Sequence, residues 1–181
     1  MLSLAWWFAS GGVPGHAAPL PSTEYQLKAV FLFNFVQFVE WPTNAHASKD
    51  SPIVLGIVGE DPFGAALDKT VRGEKVSGRP LEVRRIKEGD DLAACHLLFI
   101  SSSARDRAGE LLEQLQGRPV LTVGETPGFA ERGGVMNFVV ADKKVRFEAN
   151  PQTAARQGLK ISSKLLQLAR VVDGGEKEKR P

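Results

Sequence analysis

The residues that could carry chemistry in this chain lie in three loops, each of which follows a run of apolar residues. Glu60 and Asp61 follow the first run, three serines at 101–103 follow the second, and Glu125 follows the third. Neighbouring carboxylates can hold a cation or act as an acid–base pair, and a serine becomes a nucleophile when a base lies beside it. Either chemistry requires the loops to meet at one place in the fold.

Each of these residues also has a purely structural explanation. Asp61 followed by Pro62 is typical of a helix N-cap, and the serines are suited to cap a helix from Ala104 to Leu115. The nearest base, His96, lies inside an apolar run, and no G-x-S-x-G motif surrounds the serines. We therefore favour capping over catalysis and predict that the protein is not an enzyme, with a hydrolase as the least favoured class.

Other classes are excluded by motif and charge. The loop at 60–64 has neither the glycine spacing of a dinucleotide site nor the lysine of a P-loop. One cysteine and three histidines form no zinc-binding pattern, so we predict no metal and no cofactor. With 23 basic and 21 acidic residues the net charge is +2, which argues against nucleic acid as a partner.

One helix is more apolar than a single buried face requires. Thr23-Glu24-Tyr25-Gln26 matches a capping box, and 11 of the 15 residues from Tyr25 to Val39 are apolar. The alternation of phenylalanines at 31, 33 and 35 also permits a strand, but the cap and the length favour a helix. This excess of apolar surface is buried either by a central position in the core or by a dimer or partner interface. For the interface we expect Phe31, Phe35 and Phe38.

The remaining pattern predicts a three-layer, Rossmann-like α/β fold. Continuous apolar runs at 52–59, 97–100 and 119–123 are typical of buried parallel strands, and 81–86 alternates like an edge strand. Helices are expected at 62–71 and 104–115, and an antiparallel hairpin at 135–148 is expected to form the other edge. Asn150-Pro151 begins a short helix, and a second helix is expected over 163–172.

In such a sheet, ligands bind at the carboxyl ends of the parallel strands. The residues expected to line this cleft are Glu60, Asp61, Phe63, Ser101, Ser102, Ser103, Arg105, Glu125 and Phe129. Backbone N–H groups at the helix start, together with Arg105, suit an anionic group of a small-molecule ligand.

The two ends of the chain differ in composition from the expected single domain at 22–172. Residues 1–17 contain no charged side chain and end in the small-residue pattern Gly15-His16-Ala17, which is typical of a secretory signal peptide without its basic start. An expression remnant, a disordered arm or a membrane anchor are the alternatives. Residues 173–181 are expected to be a disordered charged tail. Cys95, inside an apolar run, is expected to be a buried core residue.

Five segments together are similar to the YfiR family of periplasmic proteins. They are the aromatic helix 25–41 ending in Glu-Trp-Pro, the loop 59–64, the strand 95–100, the hairpin entry 133–138, and the segment 159–166. This resemblance implies an exported, non-enzymatic regulator that dimerises. It also implies that the regulator binds the periplasmic sensor domain of an inner-membrane diguanylate cyclase. By holding the cyclase inactive, the regulator would lower cyclic di-GMP.

The chain departs from the family pattern in its cysteines. The best-known members carry several cysteines in disulfides, and only Cys95 matches one of them here. An internal disulfide is therefore excluded. A periplasmic small-molecule-binding accessory protein of another membrane system is the alternative function.

Overall fold

The computed structural model describes residues 22–48 and 50–174 of the chain. The expected signal peptide at 1–17 lies outside the described residues, as do residues 175–181 of the expected tail.

An eight-stranded, mostly parallel sheet runs through the protein, in the spatial order β10 (Arg170–Val171), β8 (Lys144–Ala149), β7 (Met136–Ala141), β6 (Leu121–Gly124), β5 (Leu97–Ile100), β2 (Ile53–Val58), β4 (Arg79–Ile86) and β3 (Lys75–Val76). Its centre consists of β2 (Ile53–Val58), β5 (Leu97–Ile100) and β6 (Leu121–Gly124), every residue of which is buried. Strands β4 (Arg79–Ile86) and β7 (Met136–Ala141) continue the sheet in parallel on either side. The apolar runs are thus covered on both faces, as the α/β prediction requires.

The sheet edges differ from the prediction. Strand β7 and β8 (Lys144–Ala149) form the expected hairpin, closed by a two-residue turn in which Asp142 and Lys143 have φ of 51° and 60°. However, β10 (Arg170–Val171) pairs in parallel outside β8. The last helix therefore ends at Leu168 rather than continuing to 172. At the other edge, the short β3 (Lys75–Val76) pairs outside β4.

Helices cover both faces of the sheet. On one face lie α1 (Thr23–Phe38), α2 (Ala65–Val71) and α5 (Ser163–Leu168), packed on a core that contains Phe35, Phe99 and Phe147. On the other face a 3-10 helix (Ser102–Arg107) continues into α3 (Ala108–Gln114). Successive residues of β2 alternate between the two cores, which gives the expected three layers.

Two short elements complete the fold beside the main sheet. Helix α4 (Pro151–Arg156) begins as predicted, with Asn150 Oδ1 accepting from Thr153 N–H at 2.9 Å. Strands β1 (Val39–Glu40) and β9 (Lys160–Ile161) form a two-stranded antiparallel sheet at the end of α1.

The predicted starts of three helices are corrected. The N-cap of α1 is Ser22 rather than Thr23, and its side chain makes no capping hydrogen bond. Helix α2 begins after Gly64 rather than at Pro62, because the φ of Gly64 is 51°, which is not a helical value. Asp61 caps the preceding turn instead, accepting from the N–H groups of Phe63 and Gly64 at 2.7 and 3.2 Å. Ser101 does cap the third helix, but its first turns are 3-10.

Candidate functional site

The loops after β2, β5 and β6 meet at the carboxyl edge of the sheet, and Glu125 lies at their centre. Its side chain is only 4% exposed. One carboxylate oxygen, Oε1, accepts from Ser102 N–H at 3.0 Å, and the other accepts from the Tyr25 hydroxyl at 3.1 Å and from Lys28 Nζ at 2.9 Å. All three of these hydrogen bonds come from the protein itself, so the carboxylate is held as a structural anion.

Helix α1 supplies the cation for this carboxylate. Lys28 is as deeply buried as Glu125 and contacts Glu24, one turn earlier, at 2.6 Å. Its Nζ also lies 4.5 Å from the centre of the Tyr25 ring, a cation–π arrangement. A buried ammonium group is tolerated only when it is paired, which explains why two carboxylates converge on it.

Tyr25 closes the same cluster on its apolar side. Its ring meets Phe63 edge-on, with 5.6 Å between centroids. Burial, reinforced by the nearby Glu125 carboxylate, raises the pKa of the Tyr25 hydroxyl to about 12. The hydroxyl therefore remains protonated and acts as a hydrogen-bond donor to Glu125.

The serines and Glu60 form a second hydrogen-bonded group beside Glu125. Ser101 Oγ accepts from Ser103 N–H at 3.4 Å, and Ser103 Oγ in turn accepts from the backbone N–H of Glu60 at 2.8 Å. The two hydroxyl oxygens lie 3.2 Å apart. None of the hydrogen bonds that these serines make among residues 22–48 and 50–174 involves a histidine. The serines link the β2 and β5 loops.

Asp61 takes part in an exposed ion-pair group with Arg85 of β4. Arg85 contacts Asp61 at 2.8 Å and Asp68 of α2 at 2.5 Å. The hydrogen bond from Arg85 lowers the pKa of Asp68, and the two carboxylates raise the pKa of Arg85. This group fastens α2 and the Asp61 turn to the sheet.

Three of the residues expected in the cleft lie elsewhere. Phe63 is buried in the core beneath α1, whereas Phe129 is buried in the core beneath α3, on the opposite face of the sheet. Arg105 is largely exposed and lies 3.6 Å from Asp106. The structure therefore brings together Glu60, the serines and Glu125, with Asp61 nearby, and separates the two phenylalanines.

A cavity of about 540 Å³ opens beside Glu125. It is lined by Tyr25, Lys28, Ser102 and Glu125, by residues of the 127–128 loop, and by β7, β8 and Arg170. Of the residues expected to line a cleft at the carboxyl edge, this cavity contains Ser102 and Glu125, and most of its lining comes from α1 and the hairpin.

Sequence analysis missed a second buried carboxylate at this cavity. Glu148 of β8 is almost completely buried, accepts from Asn137 Nδ2 at 3.1 Å, and forms an ion pair with Arg170 of β10. Asn137 Oδ1 has no hydrogen-bond partner among the described residues. The only sequence signal was a Glu in an otherwise apolar strand end, and its pairing depends on the position of β10.

An apolar surface lies on the outer side of α1. Leu27 and Val30 are each 44% exposed, and Leu168 of the adjacent α5 is 73% exposed. Between the two helices is a groove of about 270 Å³ lined by Phe31, Asn34, Phe38, Phe147, Lys164, Leu165 and Leu168. We call Leu27, Val30, Phe31, Phe38 and Leu168 the α1–α5 face.

The phenylalanines expected at an interface occupy different environments. Phe38 is 37% exposed, and Phe31 is partly buried at the groove. Phe35 is fully buried, stacked on Phe138 at 5.6 Å between centroids and edge-on to Phe147 at 5.0 Å. Phe35 therefore belongs to the core and cannot contact a second protein while the fold is intact.

The two histidines of the described part stack on each other at the opposite edge of the sheet. His96 Nδ1 accepts from Val54 N–H at 3.1 Å, and His96 Nε2 lies 2.9 Å from His46 Nδ1. Because Nδ1 is an acceptor, the proton of neutral His96 is on Nε2, which leaves this nitrogen unable to bind a metal. Burial lowers the pKa of His96 to about 4.

Within residues 22–48 and 50–174, no group of three or more His, Cys, Asp or Glu side chains is placed to hold a metal ion. In the same part of the chain, no helix is both long and apolar enough to cross a membrane. Cys95 is a buried free thiol, and burial raises its pKa to about 11.

Comparison with known protein families gives one match that extends over most of the chain. The family model described as YfiR/HmsC-like matches residues 25–170. This range runs from the Tyr25 ring that contacts Phe63 to the Arg170 guanidinium that contacts Glu148. The match therefore includes both buried charge clusters and the α1–α5 face.

Proposed function

The chain belongs to the YfiR/HmsC-like family, and we propose that it binds the periplasmic sensor domain of an inner-membrane signalling protein. The family is one of periplasmic regulators of cyclic di-GMP signalling. We propose more narrowly that the membrane protein is a diguanylate cyclase, that binding represses it without any catalytic step, and that cyclic di-GMP in the cell falls as a result.

The observation that carries this proposal is the α1–α5 face. A helix whose inner side already fills the core has no structural need for Leu27 and Val30 on its outer side, nor does α5 need an exposed Leu168. Contiguous exposed apolar side chains are typical of protein interaction sites. The adjacent groove, which Phe38 and Leu168 both line, offers room for an apolar side chain of the partner.

Among residues 22–48 and 50–174, the serines and Glu125 are engaged in structural contacts, which is compatible with a binding role. The serines cap a helix and link two loops, and Glu125 is neutralised by Lys28. In the mechanism we propose, the regulator binds the inactive conformation of the sensor domain more tightly than the active one. A signal that weakens this contact then releases the cyclase.

A pull-down from solubilised envelope tests the proposed docking surface. The bait is the tagged protein beginning at residue 18, and the test variant is Leu168→Asp, which adds a charge at a largely exposed position. The matched control is Val140→Asp, because Val140 is also an exposed apolar residue, 57% accessible, but lies on the hairpin.

We expect mass spectrometry to find a membrane diguanylate cyclase or sensor kinase with the wild-type protein and with Val140→Asp, but not with Leu168→Asp. Capture of the same membrane protein by all three baits would refute the α1–α5 face as the docking surface. Recovery of no membrane protein by any bait would contradict the regulator proposal itself.

We also propose that the protein forms a homodimer, for which the same face is available. Light scattering of the purified protein measures this directly. If Leu168→Asp is monomeric but still captures the membrane protein, the face belongs to the dimer and the sensor domain binds elsewhere.

The alternative function is a periplasmic small-molecule-binding accessory protein, and the cavity beside Glu125 favours it. Its volume of about 540 Å³ is within the usual range for small-molecule sites, and buried charged side chains line it. Mass spectrometry of the purified protein under native conditions tests this alternative. A stoichiometric bound compound that is lost in Arg170→Ala would support it, and an empty protein would count against it.

A further inference from the structure

A second cavity, remote from the α1–α5 face and from Glu125, lies between α3 and α4. Its volume is about 520 Å³, and it is lined by one side of α3 from Gly109 onward, the following residues to Gly117, the 132–133 loop, and α4 with Gln157. Sites for small molecules typically have volumes of 300–1,000 Å³, so this cavity can enclose a metabolite-sized compound.

Two arginines that line this cavity have no carboxylate partner among the described residues. Arg132 donates to the backbone oxygen of Pro127 at 2.8 Å, and Arg156 donates to Thr153 Oγ1 at 2.8 Å. These are the hydrogen bonds that the two side chains make among the described residues, and both acceptors are uncharged. By contrast, Arg84 and Arg85 are each paired with carboxylates.

Gln157, in the wall of this cavity, has a polar atom that is unsatisfied within the described part of the chain. It lines the cavity and is only 6% exposed, and its Oε1 has no hydrogen-bond partner among the described residues. Such buried polar atoms are rare, and they commonly mark a site that a water molecule or a ligand completes. Because this oxygen is inaccessible to water, the side chain must change rotamer before its amide group can contact an occupant, and only its Nε2 can then donate to an anion.

At one position the cavity wall lacks a side chain that the backbone would permit. Gly109, Gly117 and Gly133 line the cavity, and a Cβ added at any of them would meet no atom within 4 Å. Gly117 and Gly133 have φ of 70° and 105°, which accounts for glycine at those two positions, whereas Gly109 has no positive φ. Gly109 lies inside α3, where glycine costs about 0.5–1 kcal/mol relative to alanine. No packing constraint among the described residues accounts for Gly109, whereas a requirement for space in the cavity does.

We propose that this cavity binds a small oxyanion, either a phosphate or a carboxylate group, between Arg132 and Arg156. Planar guanidinium groups bind such anions through paired hydrogen bonds. Glu113 is the one acidic residue in the lining, against two arginines. The positive excess favours an anion, and Glu113 reduces its affinity.

The test is isothermal titration calorimetry of the purified protein with inorganic phosphate and, separately, with succinate, each compared with sodium chloride at the same ionic strength. The variants are Arg132→Gln, Arg156→Gln and Glu113→Gln. The matched control is Arg72→Gln, an exposed arginine at the end of α2, which packs on the opposite face of the sheet.

We expect saturable binding of at least one anion, weakened about tenfold or more in each of the two cavity-arginine variants, because each loses a charge-assisted hydrogen bond. Glu113→Gln is expected to bind more tightly, and Arg72→Gln is expected to behave like the wild-type protein. Saturation by phosphate alone assigns a phosphate group, and saturation by succinate alone assigns a dicarboxylate.

Either of two results would overturn the proposal. One is that neither anion gives heat beyond the sodium chloride control. The other is that Arg72→Gln weakens binding as much as the cavity variants, which would indicate a diffuse charge effect. The proposed function survives both results, since it depends on the α1–α5 face.

Discussion

Lowering the pH should destabilise this protein through one buried histidine. His96 is 7% exposed, and its Nδ1 accepts from Val54 N–H. Burial, aided by the neighbouring His46, lowers its pKa to about 4. Protonation would place a hydrogen on Nδ1, where it would face the Val54 N–H and break this side-chain hydrogen bond to the start of β2.

The direction and size of the effect follow from proton linkage. Below pH 6.5 the histidine of the unfolded chain binds a proton, while His96 in the folded protein stays neutral until the pH approaches 4. The contribution of neutral His96 to the free energy of unfolding is therefore fully present above pH 6.5 and is lost as the pH is lowered towards 4. Between pH 7.5 and 5.0 the difference in pKa corresponds to about 2 kcal/mol, or about 1–2 kcal/mol after allowance for solvent screening.

The assay is urea unfolding of the wild-type protein and of His96→Asn at both pH values. The asparagine oxygen can accept from Val54 N–H in place of Nδ1, but it does not titrate. Carboxylates such as Asp68, whose pKa is lowered by Arg85, are present in both proteins and cancel in the comparison.

We expect the wild-type protein to lose about 1–2 kcal/mol more than His96→Asn between pH 7.5 and 5.0. Equal losses in the two proteins would show that the pKa of His96 in the folded protein is not lower than in the unfolded chain. The tautomer assigned from Val54 would then be incorrect as well.

Three further predictions concern the core and the buried charges. Glu125→Gln should lower the free energy of unfolding by about 3 kcal/mol, because it leaves the buried Lys28 paired only with the more exposed Glu24. The double variant Lys28→Met with Glu125→Gln should recover most of this loss in urea unfolding. A double variant as unstable as the single one would contradict the pairing. Phe35→Ala should lower the free energy of unfolding by about 3–5 kcal/mol and Phe38→Ala by less than about 1 kcal/mol, because of these two only Phe35 is fully buried. Equal losses of stability in thermal unfolding would contradict this assignment. Gly134→Ala should destabilise the protein by more than about 1 kcal/mol, since the new Cβ would overlap the Phe129 ring, and Phe129→Leu should relieve part of the loss. Gly109→Ala is the control, because its Cβ would meet nothing within 4 Å and its φ is not positive, and an equal loss in urea unfolding of both variants would contradict the clash.

Much of the fold was predictable because the relevant signals are local. The continuous apolar runs identified β2, β5 and β6, and Asn150-Pro151 identified the start of α4. The hairpin was also predicted in place. In each case the pattern reflects either burial on both faces or a hydrogen bond between residues three apart.

The errors occurred where a tertiary contact outweighed a local preference. Asp61-Pro62 has the composition of a helix start, yet Asp61 also binds Arg85 of the adjacent strand, and the chain makes a turn at Gly64 before α2 begins. The helix predicted over 163–172 ends at Leu168, because the next residues pair with β8 and bring Arg170 to the buried Glu148.

The sequence by itself determined the order of strands and helices, the location of the loops at the carboxyl edge, and the membership of the family, since these depend on periodicity and ordered motifs. Only the tertiary structure decided which side chains share a site. Lys28 and Glu125 are 97 residues apart in the chain, and Phe63 and Phe129 lie on opposite faces of the sheet although both follow parallel strands. Burial of a charged side chain depends on a partner that another element of the fold brings into contact, and no local sequence pattern encodes that contact.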